Sequence, residues 1–276
     1  MDTSHKFRLF REHVENNLSK YCTAKNYFKV YTDTLLNKRA EKIMNIAIIL
    51  SGGIGARMGG ECPKQYIEID GKPIISYCID AFVNNGRIDK FIIVVADEWK
   101  GYVKHILKEI KQPVYYAQPG ETRQFSIYNA LVVAEGEGCA CDDVVIIHDA
   151  VRPLVTDLII NQCIDGIDNY FDGVMPVIRV KDTIYQSRDQ QTISCLLNRS
   201  ELYAGQAPES FRLGRYLQIH RELSNDEISR INGSTEIAHK AGCKVKLIIG
   251  SELNFKITTP EDLINFEQIV LIRKNK

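Results

Sequence analysis

From Asn45 onwards, the chain alternates between short apolar runs rich in β-branched residues and longer runs with helical periodicity. Such alternation is typical of an α/β fold, in which a mostly parallel sheet is covered by helices on both faces. The strand-like runs are Ile46–Leu50, Phe91–Val95, Val114–Tyr116, Val144–Ile147, Gly173–Val177 and Val245–Ile248. The helix-like runs are Ile74–Asn84, Trp99–Lys111, Arg123–Glu135, Asp157–Tyr170, Gly214–Leu223 and Pro260–Ile272. Ligands bind beyond the carboxyl ends of such strands, so a site is expected in the loops that follow them.

Residues 1–44 differ from the rest, with nine Lys and Arg against five Asp and Glu. Their apolar residues recur at helical spacing, at Phe7, Phe10, Val14, Leu18 and Tyr21, and a second short helix is expected from Tyr27 to Leu36. We therefore expect a helical extension, residues 1–44, and one domain, residues 45–276. The extension either packs on that domain or docks a partner or a second subunit.

Residues 178–206 also depart from the alternation. Two short extended pieces flank the polar turn Ser187–Gln191, which is the pattern of a hairpin. We expect a β-arm at about 178–206 that projects from the sheet and packs on something else, often a second subunit.

Composition narrows the classes of partner. The 276 residues include 35 Lys and Arg and 35 Asp and Glu, and a chain with no net charge is not expected to bind nucleic acid or a membrane surface. No apolar run approaches the ~20 residues of a membrane span, and the N-terminus lacks a signal-peptide core. Eight scattered cysteines fit free thiols in a reducing cytosol, so a cytoplasmic location is expected.

A glycine-rich loop follows the first strand-like run and predicts phosphate binding. Ser51, Gly52, Gly53 and Gly55 leave room for backbone N–H groups to face a polyphosphate. Two cations follow at Arg57 and Lys64. The loop lacks the Gly-Lys-Ser/Thr ending of a Walker loop and the third glycine of a dinucleotide fingerprint. A clamp for a nucleoside triphosphate is the functional interpretation, and a plain turn is the alternative.

A second segment ends a buried strand with His148 and Asp149, followed by Arg152. A carboxylate at the carboxyl end of a strand suits Mg²⁺ that is bound together with substrate phosphates. Asp149 as the cap of a turn is the alternative. His148 is expected to orient the loop rather than to move a proton, because an attacking phosphate is already an anion.

Three further positions carry candidate contacts. Gly120, with Ser126 on the helix after it, allows close approach of a flat base, although Thr122 also suits an ordinary helix start. Lys256 precedes a well-capped helix, and Arg199 follows the arm. Both cations suit phosphate, and a solvated surface cation is the alternative for each.

Together these segments resemble the cytidylyltransferases that join CTP to a sugar-alcohol phosphate. The resemblance spans about residues 45–272 and rests on five segments in order: 52–58 with 63–65, 120–126, 148–153, 181–183 and 254–263. It implies a Rossmann-like, mostly parallel sheet of the nucleotidyltransferase type. Residues 199–211, residues 148–153 and Trp99 resemble the ribitol-5-phosphate branch more than the methylerythritol-phosphate branch. Residues 232–236 stand where both branches usually carry a Thr-Asp pair, which leaves another pentitol or tetritol phosphate open.

The resemblance also implies roles for individual residues. Catalytic roles fall to Arg57, Lys64 and Lys256. Nucleotide binding falls to Ser51, Gly52, Gly53, Gly55, Gly120, Glu121, Ser126 and Ala150. Acceptor binding falls to Arg152, Thr183 and Arg199, and Mg²⁺ to Asp149. In this family the arm is exchanged across a homodimer, so Thr183 is expected to serve the neighbouring site.

The expected reaction is in-line attack of an alditol phosphate on CTP, which releases pyrophosphate and forms a CDP-alditol. Ribitol 5-phosphate, a precursor of wall or capsule polymers, is the first acceptor expected. Methylerythritol phosphate of isoprenoid synthesis is the alternative. A nucleotide-binding module without turnover is a third interpretation, and the choice of cytosine over uracil rests on the resemblance alone.

Overall fold

The computed structural model describes residues 42–53 and 62–275. The helices expected in residues 1–44 therefore lie outside the described residues, as do residues 54–61 of the glycine-rich loop. From Ile43 onwards the chain forms one compact unit.

The described elements follow the predicted alternation closely. The strands are β1 (Asn45–Leu50), β2 (Glu68–Ile69), β3 (Lys72–Pro73), β4 (Lys90–Val94), β5 (Val114–Ala117), β6 (Val144–Asp149), β7 (Gly173–Arg179), β8 (Tyr185–Gln186), β9 (Cys195–Leu196), β10 (Tyr203–Gly205), β11 (Glu209–Arg212) and β12 (Val245–Ile249). The helices are α1 (Ile74–Asn84), α2 (Asp97–Ile106), α3 (Arg123–Gly136), α4 (Asp157–Asp165), α5 (Leu213–Glu222), α6 (Asn225–Ser229), α7 (Ser234–Lys240) and α8 (Pro260–Lys274). None of these described helices is long and apolar enough to cross a membrane.

The central sheet is mixed but mostly parallel. Its strands are ordered β10-β7-β11-β6-β1-β4-β5, and β12 pairs with the other edge of β7. The strands β5, β4, β1 and β6 run parallel, and β12 runs parallel to β7. The strands β10 and β11 are antiparallel to their neighbours. The predicted α/β class with a mostly parallel sheet is confirmed.

Burial on both faces explains why β1 is a continuous apolar run. Ile46 and Ile48 pack into a cluster with α3, α5 and α7. Ala47 and Ile49 face the opposite cluster, with α1, α2 and α4. Each buried isoleucine side chain contributes about 2–3 kcal/mol, so the register of β1 is strongly fixed. That register sets the end of β1 beside the end of β6, where Leu50 pairs with Asp149.

The last helix forms a third cluster and fixes the loop before it. Thr259 caps α8 in a reciprocal capping box with Asp262, and Pro260 occupies the first turn. Phe266 and Val270 are buried in this cluster, which also contains Val151 and Leu154 from the segment after β6. The expected helix start is therefore present, and it holds the segment that carries Lys256.

Three details differ from the sequence predictions. The helix expected from Asp157 to Tyr170 ends at Asp165 with Gly166 as its C-cap, and a Cβ at Gly166 would lie within 3.2 Å of both methyl groups of Val174. The helix expected from Trp99 to Lys111 spans Asp97–Ile106 instead. The sequence analysis also missed β11, which is inserted antiparallel between β6 and β7.

The arm contains a hairpin as predicted, although its first strand begins at Tyr185, after the extended piece expected at residues 180–184. The strand β8 pairs antiparallel with β9, and Asp189 accepts hydrogen bonds from Gln191 and Thr192 to close the turn. Several apolar side chains on the hairpin are well exposed, including Ile193 and Leu196. The hairpin therefore has an exposed apolar surface.

Candidate active site

The strands β1, β5 and β6 end at one edge of the sheet, where their loops line a pocket of about 550 Å³. Eight of the predicted site residues line it: Gly52, Gly53, Lys64, Gly120, Glu121, Ser126, Asp149 and Lys256. Gly55 and Arg57 lie outside the described residues. We call this cavity the first pocket.

The start of the glycine-rich loop is fixed by residues that follow it. The side-chain amide of Gln65 donates to the carbonyl oxygens of Ser51 and Gly53, at 2.7 and 2.9 Å. The hydroxyls of Ser51 and Tyr66 lie 2.9 Å apart, so Ser51 is buried and points away from the pocket. A Cβ at Gly52 would overlap with the ring of Pro119. Glycine is therefore required here for close approach of two loops, as well as for any phosphate.

The opposite wall of the pocket is the turn before α3. The backbone N–H of Gly120 donates to Ser126 Oγ at 3.0 Å, and Ser126 Oγ donates to the carbonyl of Thr122 at 3.0 Å. A Cβ at Gly120 would lie 2.9 Å from the backbone carbon of Phe125. The hydroxyl of Ser126 therefore holds the turn together, and Thr122 also caps the helix, as the alternative interpretation stated.

Asp149 lies at the centre of three cations. Its Oδ1 lies 3.1 Å from Nε of Arg123, and its Oδ2 lies 3.1 Å from Nζ of Lys256 and 3.5 Å from Nε of Arg152. Burial alone would raise the pKa of Asp149, but Arg123, Lys256 and Arg152 hold that pKa well below its usual range. The carboxylate is thus ionised at any physiological pH.

The same carboxylate meets the chemical requirements for Mg²⁺. Its oxygens are hard and ionised, and its side chain lines the pocket. Within residues 42–53 and 62–275, no group of three or more His, Cys, Asp or Glu side chains could hold a metal ion. A magnesium ion at Asp149 would therefore take its remaining ligands from substrate phosphates and water, as Mg²⁺ commonly does.

His148 supports the loop from below and carries no charge. Its Nε2 lies 2.9 Å from the carbonyl oxygen of Arg152 and must donate to it, which leaves Nδ1 unprotonated. Burial lowers the pKa of His148 to about 4. The side chain is fully buried, so it orients the 149–152 loop, in agreement with the sequence-based interpretation.

A second pocket of about 600 Å³ opens on the other side of Asp149. It shares Arg123, Asp149 and Lys256 with the first pocket. Its other polar lining residues include Arg152, Gln206, Glu209, Asn232, Thr235, Glu236 and His239. The two cavities therefore meet at one cluster of charges, which is the arrangement that two reacting anions need.

Comparison with known proteins identifies the family of the chain. A family model described as IspD, 2-C-methyl-D-erythritol 4-phosphate cytidylyltransferase, matches residues 45–272. The chain belongs to the IspD family. Members of this family are CTP-dependent cytidylyltransferases, so the chain is a nucleotidyltransferase.

Solved structures support the fold. The 4-diphosphocytidyl-2C-methyl-D-erythritol synthase of Anaerococcus prevotii is 22% identical with a TM-score of 0.70, covering 83% of this chain and 99% of that one. The Francisella tularensis 2-C-methyl-D-erythritol 4-phosphate cytidylyltransferase is 28% identical with a TM-score of 0.67, covering 81% and 99%. The Thermus thermophilus enzyme of that name is 19% identical with a TM-score of 0.64, covering 82% and 98%. None of these names supports the ribitol-phosphate branch as the nearer one.

The arm residues assigned to the acceptor lie apart from both pockets of their own chain. Thr183 and Arg199 are exposed, and Arg199 Nη1 donates to the carbonyl of Lys181 at 2.8 Å. Ala150 is buried, lines neither pocket, and donates its backbone N–H to Leu50. Of the predicted acceptor residues, Arg152 alone therefore lines the second pocket.

Sequence reasoning missed two residues of this site, the partly buried Arg123 and the buried Glu209. The guanidinium of Arg123 contacts Asp149, Ser234 and Glu209. Burial alone would lower the pKa of Arg123, but the two carboxylates outweigh it and raise that pKa. Glu209 is the first residue of β11 and directly follows the cis peptide bond between Ala207 and Pro208. Both lay in segments that the sequence analysis quoted, but no local pattern indicates contacts between residues this far apart in the chain.

Proposed function

We propose that this chain transfers the cytidylyl group of CTP to 2-C-methyl-D-erythritol 4-phosphate and releases pyrophosphate. The description of the matching family and the names of the similar structures support this acceptor. The observation that carries the proposal is the junction of two pockets at Arg123, Asp149 and Lys256. One pocket suits a triphosphate and the other suits a phosphorylated polyol.

The reaction is an in-line displacement at the α-phosphorus of CTP. An oxygen of the acceptor phosphate forms a bond to that phosphorus, and the bond to the β-phosphate bridge breaks, so that the electron pair leaves with pyrophosphate. The attacking oxygen is already anionic and needs no general base. The uncharged His148 fits this, since it is committed to the carbonyl of Arg152.

Catalysis then consists of bringing two anions together and stabilising the charge that develops between them. Lys256 lines both pockets, 34% of its side chain is exposed, and its ammonium group is held by Asp149. It would contact the α-phosphate and the acceptor phosphate at once. Lys64, and Arg57 from the undescribed part of the loop, would neutralise the β- and γ-phosphates. Asp149 would hold a Mg²⁺ ion, which offsets phosphate charge when bound.

The nucleotide would extend along the first pocket. Gly52, Gly53 and the undescribed Gly55 would face the triphosphate with backbone N–H groups. Cytosine and ribose would lie against the turn at Gly120 and Glu121, the opposite wall of the same cavity. Ser51, Ser126 and Ala150 would act indirectly in this proposal, by fixing the loops.

The acceptor phosphate would bind Arg152 and Lys256 in the second pocket. Thr183 and Arg199 would reach such a site from the arm of a second copy, because they lie away from both pockets of their own chain. The exposed Ile193 and Leu196 would be covered in that homodimer. The acceptor is the less constrained substrate, since residues 232–236, where the family pattern changes, line this pocket.

The test is pyrophosphate release from CTP and Mg²⁺ with methylerythritol 4-phosphate and ribitol 5-phosphate in parallel, with product mass determined. We expect turnover with methylerythritol 4-phosphate. Turnover with ribitol 5-phosphate alone would replace the acceptor and keep the mechanism. Silence with both, together with CTP binding in calorimetry, would contradict the proposal and favour a binding module. UTP in place of CTP tests the choice of base.

A further inference from the structure

Glu209 is a buried carboxylate in the second pocket that the mechanism above does not use. It follows the cis Ala207–Pro208 bond at the start of β11, where it pairs in register with Ile147 of β6. Ile147 lies two residues before Asp149 on β6, so this pairing places Glu209 near Asp149, at the floor of the second pocket. Its side chain is 9% exposed, and it lines the same cavity as Arg152 and Lys256.

The carboxylate is held but not saturated. Its Oε1 accepts a hydrogen bond from Oγ1 of Thr235 at 2.7 Å. Its Oε2 lies 3.4 Å from Nη2 of Arg123, a long contact. A carboxylate offers about four lone-pair sites, so about half of the accepting capacity of Glu209 is directed to neither of these partners.

The other glutamate of this pocket is different. One carboxylate oxygen of Glu236 pairs with Lys240 Nζ at 2.6 Å, and the second accepts the backbone N–H of Asn232 at 2.8 Å. Glu236 is thus neutralised by its own helix and is more exposed than Glu209. Of the two, Glu209 is the one that has accepting capacity left and is shielded from bulk water.

The substrate chemistry supplies what Glu209 lacks. An alditol monophosphate has one anionic end and a chain of hydroxyl groups that donate hydrogen bonds. Arg152 and Lys256 suit the anionic end, and a buried carboxylate suits the hydroxyls. A buried acceptor that loses its donor is costly, and a second negative charge beside a carboxylate is repelled.

We propose that Glu209 is a specificity-determining residue, which accepts a hydrogen bond from a hydroxyl of the acceptor and disfavours acceptors with a second anionic group at that end. This inference rests on the proposed function and deepens it. Thr235 and Arg123 act as positioning residues, because they hold the two carboxylate oxygens from opposite sides.

The test compares Glu209→Gln, which keeps size and a carbonyl oxygen for Thr235, with Glu209→Asp, which keeps the charge. Glu137→Gln is the matched control, because Glu137 is exposed just after the far end of α3. Pyrophosphate release is measured with the alditol phosphate that the wild-type chain uses, with its mono-deoxy analogues, and with a bisphosphate of the same alditol. Melting temperatures check that each variant folds.

Hydrogen bonds to charged groups are stronger than those between neutral groups. We therefore expect Glu209→Gln to raise the KM of the acceptor about 10-fold or more, with the KM of CTP unchanged. For the deoxy analogue that lacks the contacting hydroxyl, the KM values of wild type and Glu209→Gln should differ less than about 2-fold, since the contact is already lost. Glu209→Gln should discriminate less strongly against the bisphosphate than wild type does. Glu209→Asp, which keeps the charge, should discriminate against it as wild type does.

A purely structural role predicts another pattern. Equal losses with the parent acceptor and every deoxy analogue, or an equal rise in the KM of CTP, would overturn the inference and leave the proposed function standing. Unchanged kinetics in Glu209→Gln would also overturn it. Silence of the wild-type chain with every alditol phosphate would overturn both.

Discussion

The two pockets that meet at Asp149 are built in different ways. Two opposite walls of the first pocket are formed by backbone, at Gly52 and Gly120, where loops approach their neighbours too closely for any side chain. The wall of the second is made of side chains from distant elements, including Glu209 on β11 and Thr235 on α7. A side-chain wall changes with each substitution, whereas a backbone wall changes where a glycine that forms it is replaced. Single substitutions should therefore alter the acceptor side at more positions than the nucleotide side.

The largest effect should come from the cation that both pockets share. We expect Lys256→Ala to cost about 2–4 kcal/mol of transition-state stabilisation, seen as a lower kcat/KM for CTP and for the acceptor alike. Lys108→Ala is the control, since Lys108 is exposed and lies just after the end of α2. A loss confined to one substrate would show that Lys256 serves one pocket only and would contradict the shared role.

The backbone wall should be broken by a single methyl group. In Gly120→Ala the new Cβ would meet the backbone of Phe125 at 2.9 Å, so the turn must shift and CTP binding should weaken by about 10-fold or more. Gly136→Ala is the matched control in the last turn of α3, where a Cβ meets nothing within 4 Å. Calorimetry with CTP measures both variants. Equal CTP affinity in the two would show that the tight approach at Gly120 does not matter for the nucleotide.

Acid should weaken the supports behind the two pockets. Burial lowers the pKa of His148 and of His220 from 6.5 to about 4, so the unfolded chain binds more protons and stability falls as the pH drops from 6.5 towards 4. Each histidine should cost about 2 kcal/mol at pH 5 relative to pH 8. His148 lies under the shared loop, whereas His220 contacts Gln124, the residue after Arg123 on α3.

Urea unfolding at pH 8 and pH 5 measures this loss, and His148→Asn and His220→Asn should each reduce it. Asp149 adds a loss of the same sign at lower pH, because its pKa is also lowered, and its stabilisation is lost only as the pH falls below about 4. An identical pH dependence in wild type and both variants would contradict the uncharged state of the two histidines.

The smallest effect should come from the arm. Arg199→Ala should raise the KM of the acceptor about 10-fold, if one charge-assisted contact is lost, and leave the KM of CTP unchanged. Arg188→Ala, on the exposed tip of the same hairpin, is the control. Sedimentation under the same conditions reports whether the chain dimerises. A monomer with the wild-type KM in Arg199→Ala would remove the arm from the acceptor site.

The same contrast explains what could be read from the sequence. The β-branched runs predict β1, β4, β6 and most of β7 because burial on both faces forces an apolar pattern. Asp149 and the glycines lie directly after such runs, so their position at the edge of the sheet follows from local pattern. These parts of the fold and of the first pocket were therefore predictable.

The second pocket was not predictable in this way. The run Glu209–Arg212 is short and has one apolar residue in four, and it becomes strand β11 because it pairs between β6 and β7. Arg123 contacts Glu209 and Ser234 through side chains 86 and 111 residues apart in the chain. Contacts of this range depend on topology, which leaves no periodic signal in the sequence.

The ion pair between Lys256 and Asp149 has a consequence for how the two substrates bind. A triphosphate that draws Lys256 towards itself loosens the lysine's 3.1 Å contact with Asp149, and the acceptor then meets a different charge at the junction. Two ligands that share one lysine cannot have independent affinities. Whatever factor CTP imposes on the affinity of the acceptor, the acceptor imposes on that of CTP. Substrate affinities measured one at a time are therefore not those that govern the assembled complex.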